Sequence, residues 1–239
     1  YKRFGGKASK GMGLIFDVGH AREEKIPLVL VPLIMLTTWM SHLFGGSVGR
    51  EGVAVQIGAT LSHRFARYIK IPDASRIFLM TGMAAGFAGL FQTPLAATFF
   101  ALEVLTVGEL QLMALYPALI ASIVAGFTSH ALGLEKFAVP LRETLSWTPE
   151  TLIKVALLGL AFGLAGKLFA ISLSWLKKTV AQVLPNPYIR IALLGAGLSL
   201  VLLTLQLTKV GTYSGLGTNL IDVAFHQGSA QSYDWILKL

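Results

Sequence analysis

Apolar residues along this chain form long runs without charge, separated by short polar stretches. The runs that contain no Asp, Glu, Lys or Arg are residues 28–49, 77–102, 110–134 and 191–208. Because roughly 20 consecutive apolar residues are enough to cross a bilayer as a helix, such runs predict membrane-spanning helices. The pattern is typical of an all-α polytopic membrane protein.

Polar and proline signals divide the runs into individual helices. We expect helices over residues 27–44, 52–68, 75–90, 94–105, 109–131, 148–183, 189–208 and 220–225. The apolar run 14–18 is too short to cross a bilayer and predicts a half-helix that begins inside the protein. Thr148, Pro149 and Glu150 form a helix start, and the helix that follows is long enough to require a steep tilt.

Three glycine-rich breaks each lead directly into the start of an apolar helix. They lie within residues 5–13, 45–52 and 211–219. A further break at residues 92–94 interrupts an apolar run, and irregular backbone at membrane depth is tolerated only against protein or a cavity. Interrupted helices of this kind are typical of transporters whose ions bind between half-helix ends. No clear internal sequence repeat accompanies them.

Composition supports the membrane interpretation and restricts the chemistry. The 239 residues are 54% hydrophobic and only 13% charged, and the mean hydropathy is +0.67. The net charge of +8 comes from Lys and Arg between the apolar runs, as in positive-inside loops, so we do not expect nucleic-acid binding. The chain has no cysteine, which excludes disulfides and thiolate chemistry. The scattered histidines predict caps or loop contacts and no metal site.

The ends of the chain predict a segment of a longer protein. The sequence begins without Met, nothing at its start resembles a signal peptide, and a new apolar segment opens at residues 233–237.

The segment 45–58 carries the most specific chemistry. Its glycine-rich turn frees backbone N–H groups, and the following helix start adds partial positive charge, so the position suits an anion. Glu51 lies where that anion would bind, and a carboxylate that leaves the site when protonated acts as a gate. The alternative is a structural salt bridge with Arg50, but adjacent residues at a helix start point apart. For Arg50 we favour anchoring of the loop.

Other candidate residues keep two interpretations each. Glu103, inside an apolar helix, predicts either a buried hydrogen-bonded carboxyl or a residue on a proton path. Met12 either fills a gap or marks a backbone contact to an anion. Four phenylalanines also have two interpretations: we favour ordinary packing, and the alternative is contact of their ring edges with the anion. They are Phe87, Phe91, Phe99 and Phe100.

Residues 49–52, followed by Val-Gln-Ile-Gly at 55–58, resemble the signature of the CLC family of chloride channels and proton-coupled anion antiporters. Residues 81–86 and 92–96 resemble the small-residue helix and the Asn-x-Pro-Leu-Ala turn of that family, and residues 213–221 its glycine-rich segment. The resemblance implies a CLC-type bundle of tilted and broken helices from roughly the middle of a family member. It also implies a homodimer without cofactors. Residues 1–239 would form part of one membrane transport domain, in which residues 1–147 belong to a first repeat and residues 148–239 begin a second.

Three departures refine the resemblance. Val53 replaces the proline that most members carry after Gly-Arg/Lys-Glu-Gly. Gly-Met-Gly-Leu-Ile at 11–15 stands where most have Gly-Ser-Gly-Ile-Pro. Chloride/proton antiporters have a second glutamate where this chain has Val104. Val104 in place of this glutamate, together with the absence of the serine from residues 11–15, resembles the fluoride-exporting branch of the family.

The resemblance therefore implies fluoride/proton antiport across a bacterial plasma membrane, with Glu51 as the protonatable gate. The anion would be held at the two helix starts, by Gly11, Met12, Gly13, Gly49, Arg50, Gly52 and Val53. Chloride/proton exchange or a passive chloride channel is the alternative. An intramembrane enzyme is disfavoured because no Ser-His, Asp-Asp or His-Glu-x-x-His constellation is present, and a membrane scaffold would not need Glu51 beside broken helices.

Overall fold

The structure, a computed structural model, describes residues 5–23, 25–106, 108–134, 146–207, 217–222 and 224–225. All long regular elements in these residues are α-helices, which confirms the all-α prediction. They are α1 (Met12–Gly19), α2 (Leu30–Leu43), α3 (Glu51–Ala66), α4 (Ala74–Phe91), α5 (Pro94–Glu103), α6 (Leu115–Ala131), α7 (Pro149–Val183), α8 (Pro187–Leu207) and α9 (Thr218–Asp222). Short 3₁₀ turns precede α1 and α6.

The described residues belong to two compact units, one within residues 1–138 and 215–217 and the other within 139–214 and 218–239. In the first unit α4 is the central helix and contacts α1, α3, α5 and α6. Its Leu79, Met80 and Met83 are fully buried, together with Leu14 and Ile15 of α1. The half-helix α1 is therefore anchored by its apolar residues against the middle of this unit.

Glycines set the distance between α3 and α4. A β-carbon on Gly58 of α3 would overlap the carbonyl of Gly82 on α4, and one on Gly82 would overlap the carbonyl of Gly58. One turn further along α4, a β-carbon on Gly86 would overlap the carbonyl of Ala54. The small-residue helix predicted for close backbone approach is thus observed, with α3 as the helix that approaches it.

Neighbouring residues form hydrogen bonds at the break between α4 and α5. Gln92 ends α4 with a positive φ of 53°, and its Nε2 donates to the carbonyl of Leu134 at 2.6 Å. Ser122 of α6 donates to the carbonyl of Pro94, the first residue of α5, at 3.0 Å. Irregular backbone is therefore stabilised by neighbouring protein, as expected for a broken helix in a membrane.

Two helices begin later than the sequence predicts. The 14-residue α2, about 21 Å long, starts at Leu30 instead of Pro27, and it ends at Leu43, close to its predicted end at residue 44, before the chain turns at Gly45 and Gly46. Helix α6 starts at Leu115 instead of residue 109, because a short 3₁₀ turn over Leu112–Ala114 precedes it. Three described helices are long and apolar enough to cross a membrane, namely Ala74–Phe91, Leu112–Ala131 and Pro149–Val183.

The start of α7 follows its sequence signal. The Thr148 side chain accepts a hydrogen bond from the Thr151 amide at 3.2 Å, so the predicted cap is confirmed. The 35 residues of α7 extend about 52 Å, well beyond the roughly 30 Å of a hydrocarbon core, and the steep tilt stays a prediction. Most of the third glycine-rich break, residues 211–216, lies outside the described residues.

Candidate anion-binding site

The start of α3 leaves backbone donors without a partner inside the helix. Glu51 is the first helical residue and Arg50 the N-cap, whose side chain makes no capping hydrogen bond. The Ala54 amide donates to the Arg50 carbonyl at 3.0 Å, so the earlier amides of Gly52 and Val53 remain. The N–H groups and the helix dipole together make this end attractive to a negative charge.

The start of α1 has the same property. Its N-cap is Gly11, whose φ of 55° and ψ of −126° are rarely adopted by residues with a side chain. The Leu14 amide donates to the Gly11 carbonyl at 3.1 Å. The amides of Met12 and Gly13, at the first two helical positions, have no carbonyl within the helix to bond. Thr148 caps α7, whereas no side chain caps α1 or α3.

One buried amide side chain joins the two helix starts. Gln56 of α3 is only 7% exposed, and its Nε2 donates to the Gly52 carbonyl at 2.9 Å. Its Oε1 has no hydrogen-bond partner among the described residues and lies 3.5 Å from the position of a β-carbon on Gly11. The α1 start and the first turn of α3 therefore meet on either side of Gln56.

The Glu51 side chain is exposed and turns back over the preceding loop. Its Oε2 occupies the space that a β-carbon on Gly49 would fill, so residue 49 has to be glycine for this conformation. No ion pair joins Arg50 and Glu51, and Arg50 pairs with no carboxylate elsewhere in the described chain. The described residues therefore do not support the salt-bridge alternative for Glu51.

The lysine next to the α1 start is engaged elsewhere. Lys10 Nζ lies 2.8 Å from Asp17 Oδ2 and 3.5 Å from Glu23 Oε1. The hydrogen bond with Asp17 raises the pKa of Lys10 and lowers the pKa of the Asp17 carboxyl. The α1 start therefore presents backbone amides, with the lysine charge held by carboxylates.

Glu103 is separate from this arrangement. It is the last residue of α5, is exposed, and makes no ion pair or side-chain hydrogen bond with a described residue. Among the described residues nothing covers its carboxyl, and both the buried-carboxyl interpretation and a role on a proton path stay predictions. The neighbouring Val104 is partly buried and packs against the apolar core.

The candidate aromatic residues divide into two groups. The Phe87 ring lies 4.6 Å from that of Phe91 and 4.9 Å from that of Phe100, whereas Phe99 is 55% exposed. Met12, Phe87 and Phe100 pack against the buried core, which confirms packing for these three residues. A backbone contact of Met12 with an anion stays a prediction.

One histidine follows the expectation of a cap: His20 Nδ1 lies 2.8 Å from the Phe16 carbonyl at the end of α1. His63 differs from that expectation, because its Nδ1 lies 3.3 Å from Ser75 Oγ in a contact between α3 and α4. Within the described ranges no three His, Asp or Glu side chains lie close enough to hold a metal ion.

Gln56 is the member of the site that the sequence did not single out. It appeared only as one letter of the Val-Gln-Ile-Gly motif. The available signal is a lone amide in the mainly apolar start of α3, five positions after Glu51. Its importance depends on the approach of α1, which local sequence does not encode.

Comparisons with known proteins agree with this geometry. The sequence profile described as "Voltage gated chloride channel" matches residues 1–239. The chain is 34% identical over 243 residues to the "Chloride/fluoride channel protein" of Pseudomonas syringae pv. tomato, and the match covers all of this chain and 54% of that protein. It is 30% identical to the "Voltage-gated ClC-type chloride channel ClcB" of Salmonella typhimurium, over 67% of this chain and 35% of the relative.

Among solved structures, the crystal structure of a CLC-type fluoride/proton antiporter superposes with a TM-score of 0.92 at 46% identity, covering 99% of this chain and 59% of that one. The chain thus spans little more than half the length of the Pseudomonas relative and of this antiporter. The predicted resemblance is confirmed, and the chain belongs to the voltage gated chloride channel family, the CLC family.

Proposed function

We propose that the protein containing this chain exchanges fluoride for protons across a bacterial plasma membrane and thereby exports fluoride. The observation that carries the proposal is the meeting of two uncapped helix starts at Gln56, with Glu51 at one of them. The similarity to a fluoride/proton antiporter supports the choice of ions. The bacterial relatives support the choice of membrane, and the family supports a homodimer within which 1–239 forms part of one transport domain.

Glu51 couples the two ions through competition for the same donors. When ionised, its carboxylate is stabilised by the amides of Gly52 and Val53 and by the positive end of α3. A proton arriving from water removes this charge, so the carboxyl binds the amides less strongly and a halide replaces it at the site. The return of the anionic carboxylate expels the halide and releases the proton, which moves the two ions in opposite directions.

Fluoride requires donors that replace its hydration shell. The amides of Met12, Gly13, Gly52 and Val53 are fixed by the backbone of two helices, so they are already oriented before the ion arrives. Charge-assisted N–H hydrogen bonds are short and strong. The site therefore binds a small anion through the main chain, with the Gln56 side chain between the two helix starts.

The test is transport by the whole protein in liposomes. Vesicles loaded with fluoride and diluted into fluoride-free buffer should acidify inside as fluoride leaves, with valinomycin and potassium balancing charge. Chloride-loaded vesicles should show proton uptake at least about tenfold slower. A pH-sensitive dye and an ion-selective electrode measure both fluxes, and empty vesicles give the leak of hydrogen fluoride. Equal chloride and fluoride fluxes would contradict the assignment to fluoride.

Chloride/proton exchange or passive chloride conduction is the second candidate, favoured by the names of the Salmonella relatives. Chloride flux with proton uptake identifies the first of these activities. Chloride flux without proton uptake identifies the second.

Replacing Gln56 by Leu should weaken fluoride binding about tenfold, because the variant removes the polar atoms between the two helix starts: Nε2, which bonds the Gly52 carbonyl within α3, and Oε1, which lies beside Gly11. Titration calorimetry with fluoride on the purified whole protein measures the affinity. Thr60→Val is the matched control, since Thr60 is also buried on α3 and also bonds within that helix, at 2.6 Å, but lies one turn further from Gly11. Unchanged affinity in the Gln56 variant would exclude its role in the site.

A further inference from the structure

A cavity lined by basic and apolar residues lies at the opposite end of α3 from Glu51. Its volume is about 950 Å³, and its walls come from the end of α3, the segment before α2 and the glycine-rich segment before α1. Glu51 and Ala66 are separated by roughly 22 Å along the helix axis, so this cavity is distinct from the anion site. The charged and apolar side chains that line it include Lys7, Arg22, Glu23, Lys25, Leu28, Val29, Arg64 and Arg67.

The cavity is strongly basic. Five of its lining side chains are Lys or Arg, whereas Glu23 is its single described carboxylate. Glu23 is already paired with Lys7 and also lies 3.5 Å from Lys10 Nζ. In the part of the chain that the structure describes, no carboxylate forms a salt bridge with Arg22, Lys25 or Arg64. Among the described residues, the cavity is therefore lined by more Lys and Arg side chains than carboxylates.

One wall of the same cavity is apolar. Residues 26–29 line it, and Leu28 and Val29 are 41% and 36% exposed where α2 is about to begin. A soluble phosphate would be held by the basic wall alone and would leave this apolar surface in water. A ligand with a phosphate at one end and hydrocarbon at the other would cover both walls.

We propose that this cavity binds the headgroup of an anionic phospholipid, with its phosphate between Arg22, Lys25 and Arg64 and its acyl chains along Leu28 and Val29. Arginine guanidinium groups bind phosphate oxygens in a bidentate geometry, which a lysine ammonium then reinforces as a point charge. Basic pockets beside membrane helices attract anionic lipids of the cytoplasmic leaflet. Basic loops also face the cytoplasm by the positive-inside rule, so lipid and cavity meet on one side.

The test uses the purified full-length protein and native mass spectrometry with phosphatidylglycerol, phosphatidylcholine or inorganic phosphate. We expect phosphatidylglycerol to remain bound and phosphatidylcholine to be lost. The double variant Lys25→Gln with Arg64→Gln should reduce phosphatidylglycerol occupancy at least about tenfold. Lys177→Gln with Lys178→Gln removes the same charge from exposed positions on α7 and should bind like the parent.

Three results would overturn the proposal. Equal retention of phosphatidylcholine would show that charge plays no part, and displacement of the lipid by inorganic phosphate at equal concentration would show a soluble phosphate site. Full occupancy in the double variant would exclude these residues. Melting in phosphatidylcholine nanodiscs separates lost binding from lost fold, and Arg22→Gln alone repeats the test if the double variant unfolds.

Discussion

Replacing Glu51 by Gln should abolish proton coupling in the whole protein while fluoride still crosses the membrane. Glutamine has the shape of a protonated glutamate but no proton to give up, so the competing charge at the α3 start is permanently absent. The amides of Gly52 and Val53 remain free for the halide because a neutral amide at this position has no charge with which to displace it. We expect fluoride-driven proton uptake to fall at least about a hundredfold, to the level of empty vesicles.

Glu150→Gln is the control for this substitution. Glu150 is also an exposed carboxylate in the first turn of a helix, but α7 is capped by Thr148 and Glu150 pairs with Lys154 at 2.5 Å. Coupled transport should be unchanged in that variant. Proton uptake that persists in Glu51→Gln would place the proton-carrying group elsewhere, and Glu103→Gln would then be the next variant to measure.

The sequence predicts the breaks well because their causes are local. Pro94 cannot donate a backbone hydrogen bond within a helix, and Gly11 supplies a backbone conformation that other residues rarely adopt. The α5 and α1 starts therefore fall within a few residues of their predicted positions. The start of α6 is predicted too early, at residue 109, because residues 110–114 lie inside a charge-free run, where hydropathy does not distinguish a turn from a helix.

The components of the site that depend on tertiary contacts are not predictable in this way. Gln56 joins the site only because α1 approaches α3 at Gly11, and that approach depends on the burial of Leu14 and Ile15 against neighbouring helices. The basic cavity likewise combines Arg22 with Arg64, 42 positions apart in the sequence. The charge pattern along the sequence does not indicate that these two residues face one cavity.

Replacing Gly82 by Ala should destabilise the protein although alanine is the better helix former. Alanine favours a helix over glycine by roughly 0.5–1 kcal/mol, so a purely local effect would raise the melting temperature. At Gly82, however, the new β-carbon would overlap the Gly58 carbonyl, and backbone cannot rotate away as a side chain can. We expect a net loss of about 1–3 kcal/mol, the usual cost of overpacking, and a clear fall in melting temperature in detergent.

Gly163→Ala on α7 isolates the packing contribution to that loss. The β-carbon position of Gly163 has no described atom within 4 Å, so this variant should keep or slightly raise the melting temperature. The difference between the two variants then measures how tightly α3 is held against α4. A Gly82 variant that melts at or above the temperature of the parent would mean that α3 moves away from α4 at little cost in free energy. Because α3 carries Glu51 at its start, the contact with α4 would then not fix the position of the gate.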